Sequence, residues 1–129
     1  MKLFRIDGSL IIDNPEIDNL KELVEYCVRE GISLDLANMQ GANLQYANLQ
    51  FADMQGANMQ GVNMWYANMR YANMRYANMQ GANMRDTDLR HANLRDANLR
   101  RVILRGADMR DANLRRVILR DTDLRHADF

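Results

Sequence analysis

From Leu34 to Phe129 a large apolar residue returns at every fifth position, twenty times running, without an insertion or a deletion. It is Leu or Met throughout, with Phe129 closing the series. Two residues before each stands a small or β-branched residue, mostly Ala. Between the two stands Asn or Asp, except at Ser33, Ile103 and Ile118. No regular element accepts this period. On an α-helix each repeat overshoots a whole turn by roughly 140°, so the apolar residues would scatter around the axis. On a flat strand side chains alternate faces, and an odd period sends successive Leu residues to opposite sides.

A chain that turns a corner once per repeat resolves the conflict. Within a short extended stretch, the large residue and the small one two before it share a side. The corner then resets the direction, so all twenty pairs face one axis and the other three positions face outward. Successive coils can hydrogen-bond edge to edge at the strand spacing of ~4.8 Å. Alternating large and small inward residues suits a narrow, filled interior. Such a core leaves no room for a substrate. Its nine Met residues read as adaptable apolar filler rather than a soft-metal site. The Asn/Asp position reads as structural, bonding to corner backbone and stacking in ladders. Gly41, Gly56, Gly61, Gly81 and Gly106 read as corner residues.

The tandem A(N/D)(L/M)xx pattern, exemplified by YANMRYANMRYANMQGANMR at Tyr66–Arg85, resembles the pentapeptide-repeat family. The resemblance covers residues 32–129. It implies an all-β solenoid, a right-handed quadrilateral β-helix with four repeats per coil, hence about five coils here. Gly41, Gly61 and Gly81, twenty residues apart, agree with that closure, as do Tyr46 with Tyr66 and Phe51 with Tyr71. Sequence DANLRRVILR at 96–105 and again at 111–120 reads as a trace of duplication.

Residues 1–31 are of another kind and read as a hairpin and capping helix preceding the repeat region 32–129. Leu3–Ile6 and Ser9–Ile12 flank Asp7-Gly8, a pair favoured where both turn residues take positive φ. Asn14-Pro15 reads as a helix start, with Asn as cap and Pro at the first helical position. Ile17, Leu20, Val24, Cys27 and Val28 recur at helical spacing, and Gly31 is a suitable stop. Cys27 lies on the apolar face and reads as a buried structural thiol. A single cysteine excludes an internal disulfide and points to a reducing, cytoplasmic setting. No apolar run approaches the ~20 residues of a membrane span.

Lys plus Arg and Asp plus Glu both number 17, so no whole-chain charge favours nucleic acid. The distribution is uneven: from Met69 onward there are 13 Arg against eight Asp. Folded in fours, Arg70, Arg90 and Arg110 share a face with Asp88, Asp108 and Asp128. The interleaved aspartates argue against a phosphate track, and direct nucleic-acid binding is not expected. Tyr46, Phe51, Tyr66, Tyr71 and Tyr76 hold the second outward position and Trp65 the first. Together with Arg70, Arg90 and Arg110 they form the candidate surface for a protein partner, since exposed aromatics and arginines are common interface anchors. His91 and His126 sit at different corners and read as solvated, not as a metal pair. No catalytic constellation, cofactor motif or metal-ligand spacing is present.

Ile103 and Ile118 break the Asn/Asp position with exposed apolar side chains, and Phe129 ends the inward series. Solenoid ends need cover, so Ile103, Ile118 and Phe129 are the candidate interface of a homodimer through the C-terminal coils. The expected function is that of a non-catalytic interaction scaffold, such as an inhibitor or modulator of a nucleic-acid-handling protein complex. The resemblance implies an alternative. Some pentapeptide-repeat proteins, quinolone-resistance proteins among them, resemble duplex DNA and bind DNA gyrase.

Overall fold

The computed structural model describes residues 1–129. Parallel bridges join residues twenty apart along the whole repeat region, from Asn38 to Asn58 through to Asp108 to Asp128. Four repeats therefore close one coil, and the twenty repeats make five stacked coils of a right-handed quadrilateral β-helix, about 24 Å long at the strand spacing.

One repeat shows how the backbone is satisfied. Asn68 N–H donates back to Ala47 C=O at 2.9 Å, and Met69 N–H donates forward to Asp88 C=O at 2.8 Å. Tyr71 N–H donates to Arg90 C=O at 3.1 Å, and Ala72 N–H closes the corner onto Met69 C=O at 3.1 Å. The remaining N–H, that of Arg70, is taken by Asn68 Oδ1 at 3.2 Å. The Asn/Asp position is thus the acceptor for the one amide that neither the coil ladder nor the turn can serve. Its side-chain amide also climbs the stack, as from Asn68 Nδ2 to Asn48 Oδ1 at 3.3 Å.

Each corner is a four-residue turn with positive φ at its third residue, the signature of a type II turn, and all but Met84–Thr87 are closed from the fourth residue's N–H to the first one's C=O. Glycine meets that demand freely, as at Gly61 (φ 63). Tyr46, Phe51, Tyr66, Tyr71, Tyr76, Arg101 and Arg116 adopt it as well, which L side chains rarely do. Except at Arg116 in the last coil, an N–H bond to the next coil holds each of them there.

The core is a single dry shaft. Every inward Leu and Met from Leu34 to Met109 is at most 2% exposed. Thr87, inward among apolar neighbours, satisfies its hydroxyl on Met84 C=O at 2.6 Å. Towards the last coil the inward residues open to solvent, and Phe129 is 63% exposed.

At the other end sit strand β1 (Lys2–Phe4), strand β2 (Leu10–Asp13) and helix α1 (Leu20–Arg29). The antiparallel hairpin β1–β2 continues into the first coil: Arg5 bridges Ala37, Asn38 N–H donates to Phe4 C=O at 2.9 Å, and Ile6 N–H to Leu36 C=O at 2.8 Å. Helix α1 buries Leu23, Val24 and Cys27 against the shaft. Glu25 Oε1 accepts from Asn48 N–H at 2.8 Å, so the helix serves a backbone donor of coil one. Burial pushes the Cys27 thiol pKa up, as an inert structural thiol requires. No helix is long and apolar enough to cross a membrane.

Two local expectations are corrected. Asp7-Gly8 is not a turn with two positive φ values. Only Gly8 has one (φ 85), the turn closes from Gly8 N–H to Arg5 C=O, and Asp7 instead accepts from Ser9 N–H. The three-residue loop Ile6–Gly8 ends in a left-handed glycine, and the hairpin carries a separate bulge between Leu3 and Phe4. The helix does not start at Asn14-Pro15. Asn14 forms a local turn, accepting from Glu16 N–H, and the cap is Asn19, which accepts from Glu22 N–H at 2.9 Å. Glu22 reaches back to accept from Asn19 Nδ2 at 3.0 Å, so the capping signal was the Asn19-x-x-Glu22 spacing. Gly31 does end the helix, with Ile32 N–H bonded to Cys27 C=O and Gly31 N–H to Val28 C=O.

Candidate functional site

The four-sided coil sorts the outward residues onto four corners, which Trp65-Tyr66, Arg70-Tyr71, Arg75-Tyr76 and Gln80-Gly81 define in succession. Tyr46 stacks on Tyr66 with centroids 5.6 Å apart and planes 10° from parallel. At the next corner Phe51 stacks on Tyr71 at 5.1 Å and 9°. Both stacks follow from the twenty-residue closure, which lays like positions over one another.

The two corners bound one face, whose outward residues are Asn48, Asn68, Asp88, Asp108 and Asp128. Trp65 leans over the first corner, 5.9 Å from Tyr46 and 5.0 Å from Tyr66. Its Nε1 donates to Asp86 at 3.1 Å, an anchor that the sequence pattern did not reveal. At the second corner His91 extends the Phe51–Tyr71 column, stacking on Tyr71 at 4.8 Å and 8°. His91 was expected as a solvated corner. It is exposed, but the coil stacking puts it directly over an aromatic ring.

The arginines of this face are organised by aspartate. Arg90 grips Asp88 with Nε and Nη2 at 2.9 and 2.6 Å, and reaches Asp108 at 3.4 Å. Arg110 repeats the two-pronged contact on Asp108. The Arg110 hydrogen bond holds the Asp108 carboxyl down to about 2, and that of Arg90 lowers Asp88. Arg70 has no carboxylate and lies over the Tyr71 ring, its guanidinium carbon 5.6 Å from the centroid. The upper half of the face is an ion ladder and the lower half is aromatic.

At the foot of the Phe51 column a groove of about 420 Å³ opens between helix α1 and coil one. Glu25, Val28, Arg29, Asn48, Gln50 and Phe51 line it. A smaller hollow of about 170 Å³ adjoins it across Val28 and Phe51.

The structure brings together Tyr46, Phe51, Trp65, Tyr66, Tyr71, Arg70, Arg90 and Arg110 around one face. It does not bring Tyr76 there. Tyr76 stands at the following corner, where Arg75 Nη2 donates to its hydroxyl at 3.3 Å. Nor does it gather Ile103, Ile118 and Phe129. The two isoleucines project from adjacent side faces of the last coils, while Phe129 points into the shaft at the end of a third. The reason is the coil geometry: residues 15 or 26 apart in sequence fall on different sides.

Residues 30–61, 52–90 and 92–129 match the family model described as Pentapeptide repeats (8 copies). A pentapeptide repeat protein from the Arabidopsis thaliana thylakoid lumen superposes with a TM-score of 0.69 at 24% identity, over 71% of this chain and 64% of that one. This chain therefore spans less than two thirds of that protein's length. A pentapeptide repeat protein from the cyanobacterium Cyanothece 51142 superposes with a TM-score of 0.64 at 20% identity, over 84% of this chain and 95% of that one. At these identities both carry the fold alone. A plasmid-mediated fluoroquinolone resistance protein, QnrB1, aligns at 18% identity over 71% of this chain and 50% of that one, but its TM-score of 0.30 is too low to bear on function. Comparison with curated proteins finds no match.

Proposed function

The chain belongs to the pentapeptide-repeat family, and from that premise we propose that it is a non-catalytic scaffold that binds a protein partner through the face bounded by the Tyr66 and Tyr71 corners. The observation that carries the reading is the pair of parallel aromatic columns, Tyr46–Tyr66 and Phe51–Tyr71, standing exposed on adjacent corners. Rigid aromatic anchors that lose little side-chain freedom are the usual centres of binding energy. The α1 groove at the foot of Phe51 offers a recess for a partner side chain. A filled shaft gives a rod that presents these groups without rearranging.

The test is affinity capture with wild type, Phe51→Ala/Tyr71→Ala and Arg90→Glu/Arg110→Glu proteins, with captured proteins identified by mass spectrometry. The reading expects a partner lost from the aromatic variant. The same captured set from all three would overturn it. An inhibitor or modulator of a nucleic-acid-handling complex is the form we propose, read out by adding the protein to the identified complex.

The alternative is a duplex mimic that binds gyrase. Such a mimic needs continuous negative charge, and here Arg90 and Arg110 pair with Asp88 and Asp108 on the most acidic face, while arginines outnumber aspartates seven to two at the Tyr76 and Gly81 corners of the upper coils. A supercoiling assay with and without the protein decides this point. We keep with the scaffold a homodimer through the C-terminal coils, end to end or end on side, in which Phe129 meets a second copy. Sedimentation showing only monomer at tens of micromolar rejects it.

A further inference from the structure

The 13 arginines and eight aspartates that follow Met69 are not spread evenly around the coil. The Tyr66 and Tyr71 corners, with the faces leading into them, hold six of each, namely Arg70, Arg85, Arg90, Arg105, Arg110 and Arg125 against Asp86, Asp88, Asp108, Asp111, Asp123 and Asp128. The Tyr76 and Gly81 corners hold seven arginines against two aspartates, so the whole excess of positive charge lies there. Arg75, Arg95, Arg115 and Arg116 line one edge, and Arg100, Arg101 and Arg120 the other. The face between them presents Asn78, Asn98 and Ile118 outward and carries no carboxylate. It lies on the side of the rod opposite the aspartate ladder.

Inside the chain this charge is only partly answered. Asp96 meets Arg95 at 3.1 Å and Arg116 at 4.0 Å, and Asp121 meets Arg120 at 3.6 Å. Arg75, Arg100, Arg101 and Arg115 pair with no carboxylate. Their columns advance one coil at a time, at ~4.8 Å, on a rigid ladder. Guanidinium forks held this way suit carboxylates and phosphates alike.

Ile118 separates the two. It is 49% exposed at an outward position where the coils below hold Asn, and it stands between the arginine edges. An apolar spot flanked by cations on two sides has the parts of a protein interface core and rim, and a phosphate backbone has nothing to place against it. Asp96 and Asp121 likewise interrupt a phosphate track. We propose that this face docks an acidic protein segment that carries an apolar side chain among its carboxylates. The surface is distinct from the aromatic one proposed above, so the two readings can fail separately.

The probe is a fluorescein-labelled 15-residue peptide of Glu-Glu-Leu repeats, followed by anisotropy at low salt. The same measurement uses an all-glutamate peptide and a single-stranded oligonucleotide of equal length. The Glu-Glu-Leu peptide is expected to bind most tightly. Arg100→Glu/Arg115→Glu should weaken it at least tenfold, and Ile118→Asn severalfold, while Arg90→Glu/Arg110→Glu leaves it within twofold. Ile118→Asn restores the residue type of the other coils, so it folds and its loss of binding is not unfolding. Three results overturn the proposal: no binding of the peptide at hundreds of micromolar, equal weakening by reversals on the two faces, or an oligonucleotide that binds more tightly and is indifferent to Ile118.

Discussion

Tyr71 lies face to face with His91, centroids 4.8 Å apart, and with Phe51 on its other side at 5.1 Å. All three residues hold positive φ, Tyr71 at 60°. The column therefore sets two opposed terms on one residue, ring stacking against left-handed backbone strain. Each aromatic contact contributes about 0.5–1.5 kcal/mol. The strain costs roughly 1–2 kcal/mol for a residue with a Cβ.

Tyr71→Ala should then destabilise the protein by about 1–3 kcal/mol, because it loses both stacks and keeps the strain. Tyr71→Gly should be the more stable of the two by about 1 kcal/mol, because it loses the stacks but sheds the strain. Urea denaturation compares them. Equal midpoints would show that the corner exacts no conformational cost.

Ile103 replaces the Asn that would accept from the following amide, and Arg105 N–H has no partner within the chain, unlike Arg85 N–H one coil below, which meets Asn83 Oδ1 at 3.3 Å. Ile103→Asn should raise stability by about 0.5–1.5 kcal/mol, the net worth of one such bond. A thermal melt that shifts downward would contradict this account of the Asn position.

Glu25 holds the coil-one amide of Asn48 from helix α1. Glu25→Ala should speed hydrogen exchange at Asn48 more than at Asn68, whose amide is served by Ala47 C=O. The stability loss should be about 1 kcal/mol, and Glu25→Gln should recover part of it through its own carbonyl. Unchanged protection at Asn48 would mean that α1 covers the coil without bonding to it.

Asp108 should titrate at about 2, below the ordinary 3.8, because Arg110 hydrogen-bonds its charged form. A lowered folded value means that its stabilisation is complete above 3.8 and is lost as pH falls towards 2. Carboxyl-carbon NMR reads the midpoint directly, and Arg110→Gln should move it back up. A midpoint that ignores that substitution would assign the shift to something else. The side chains are solvated, so the change in global stability should be small.

The inward set was legible from spacing alone, since Leu34 through Met109 are all buried as the period demands. So were the Tyr46–Tyr66 and Phe51–Tyr71 stacks, because like positions twenty apart are easy to pair once the coil length is taken from the family. The helix start was not. Asn14-Pro15 and Asn19-x-x-Glu22 are both plausible caps, and the choice went to the one that places Leu23, Val24 and Cys27 under the shaft. The His91 stack is not legible in the sequence, because a histidine in an aromatic column looks like any outward polar residue until the coil lays it over Tyr71. Tyr76 shares its place in the repeat with the other tyrosines but stands at a different corner, since each five-residue step carries the chain to the next one.

What the order of residues determined unaided is direction, inward or outward, because that depends only on local alternation and on a turn between repeats. Which outward residues become neighbours is a different matter. It depends on where the coil closes and on which element seats beneath it, and both are set by long-range hydrogen bonds between amides some twenty residues apart. Those contacts alone placed the aspartate ladder and the unanswered arginines on opposite sides of the rod.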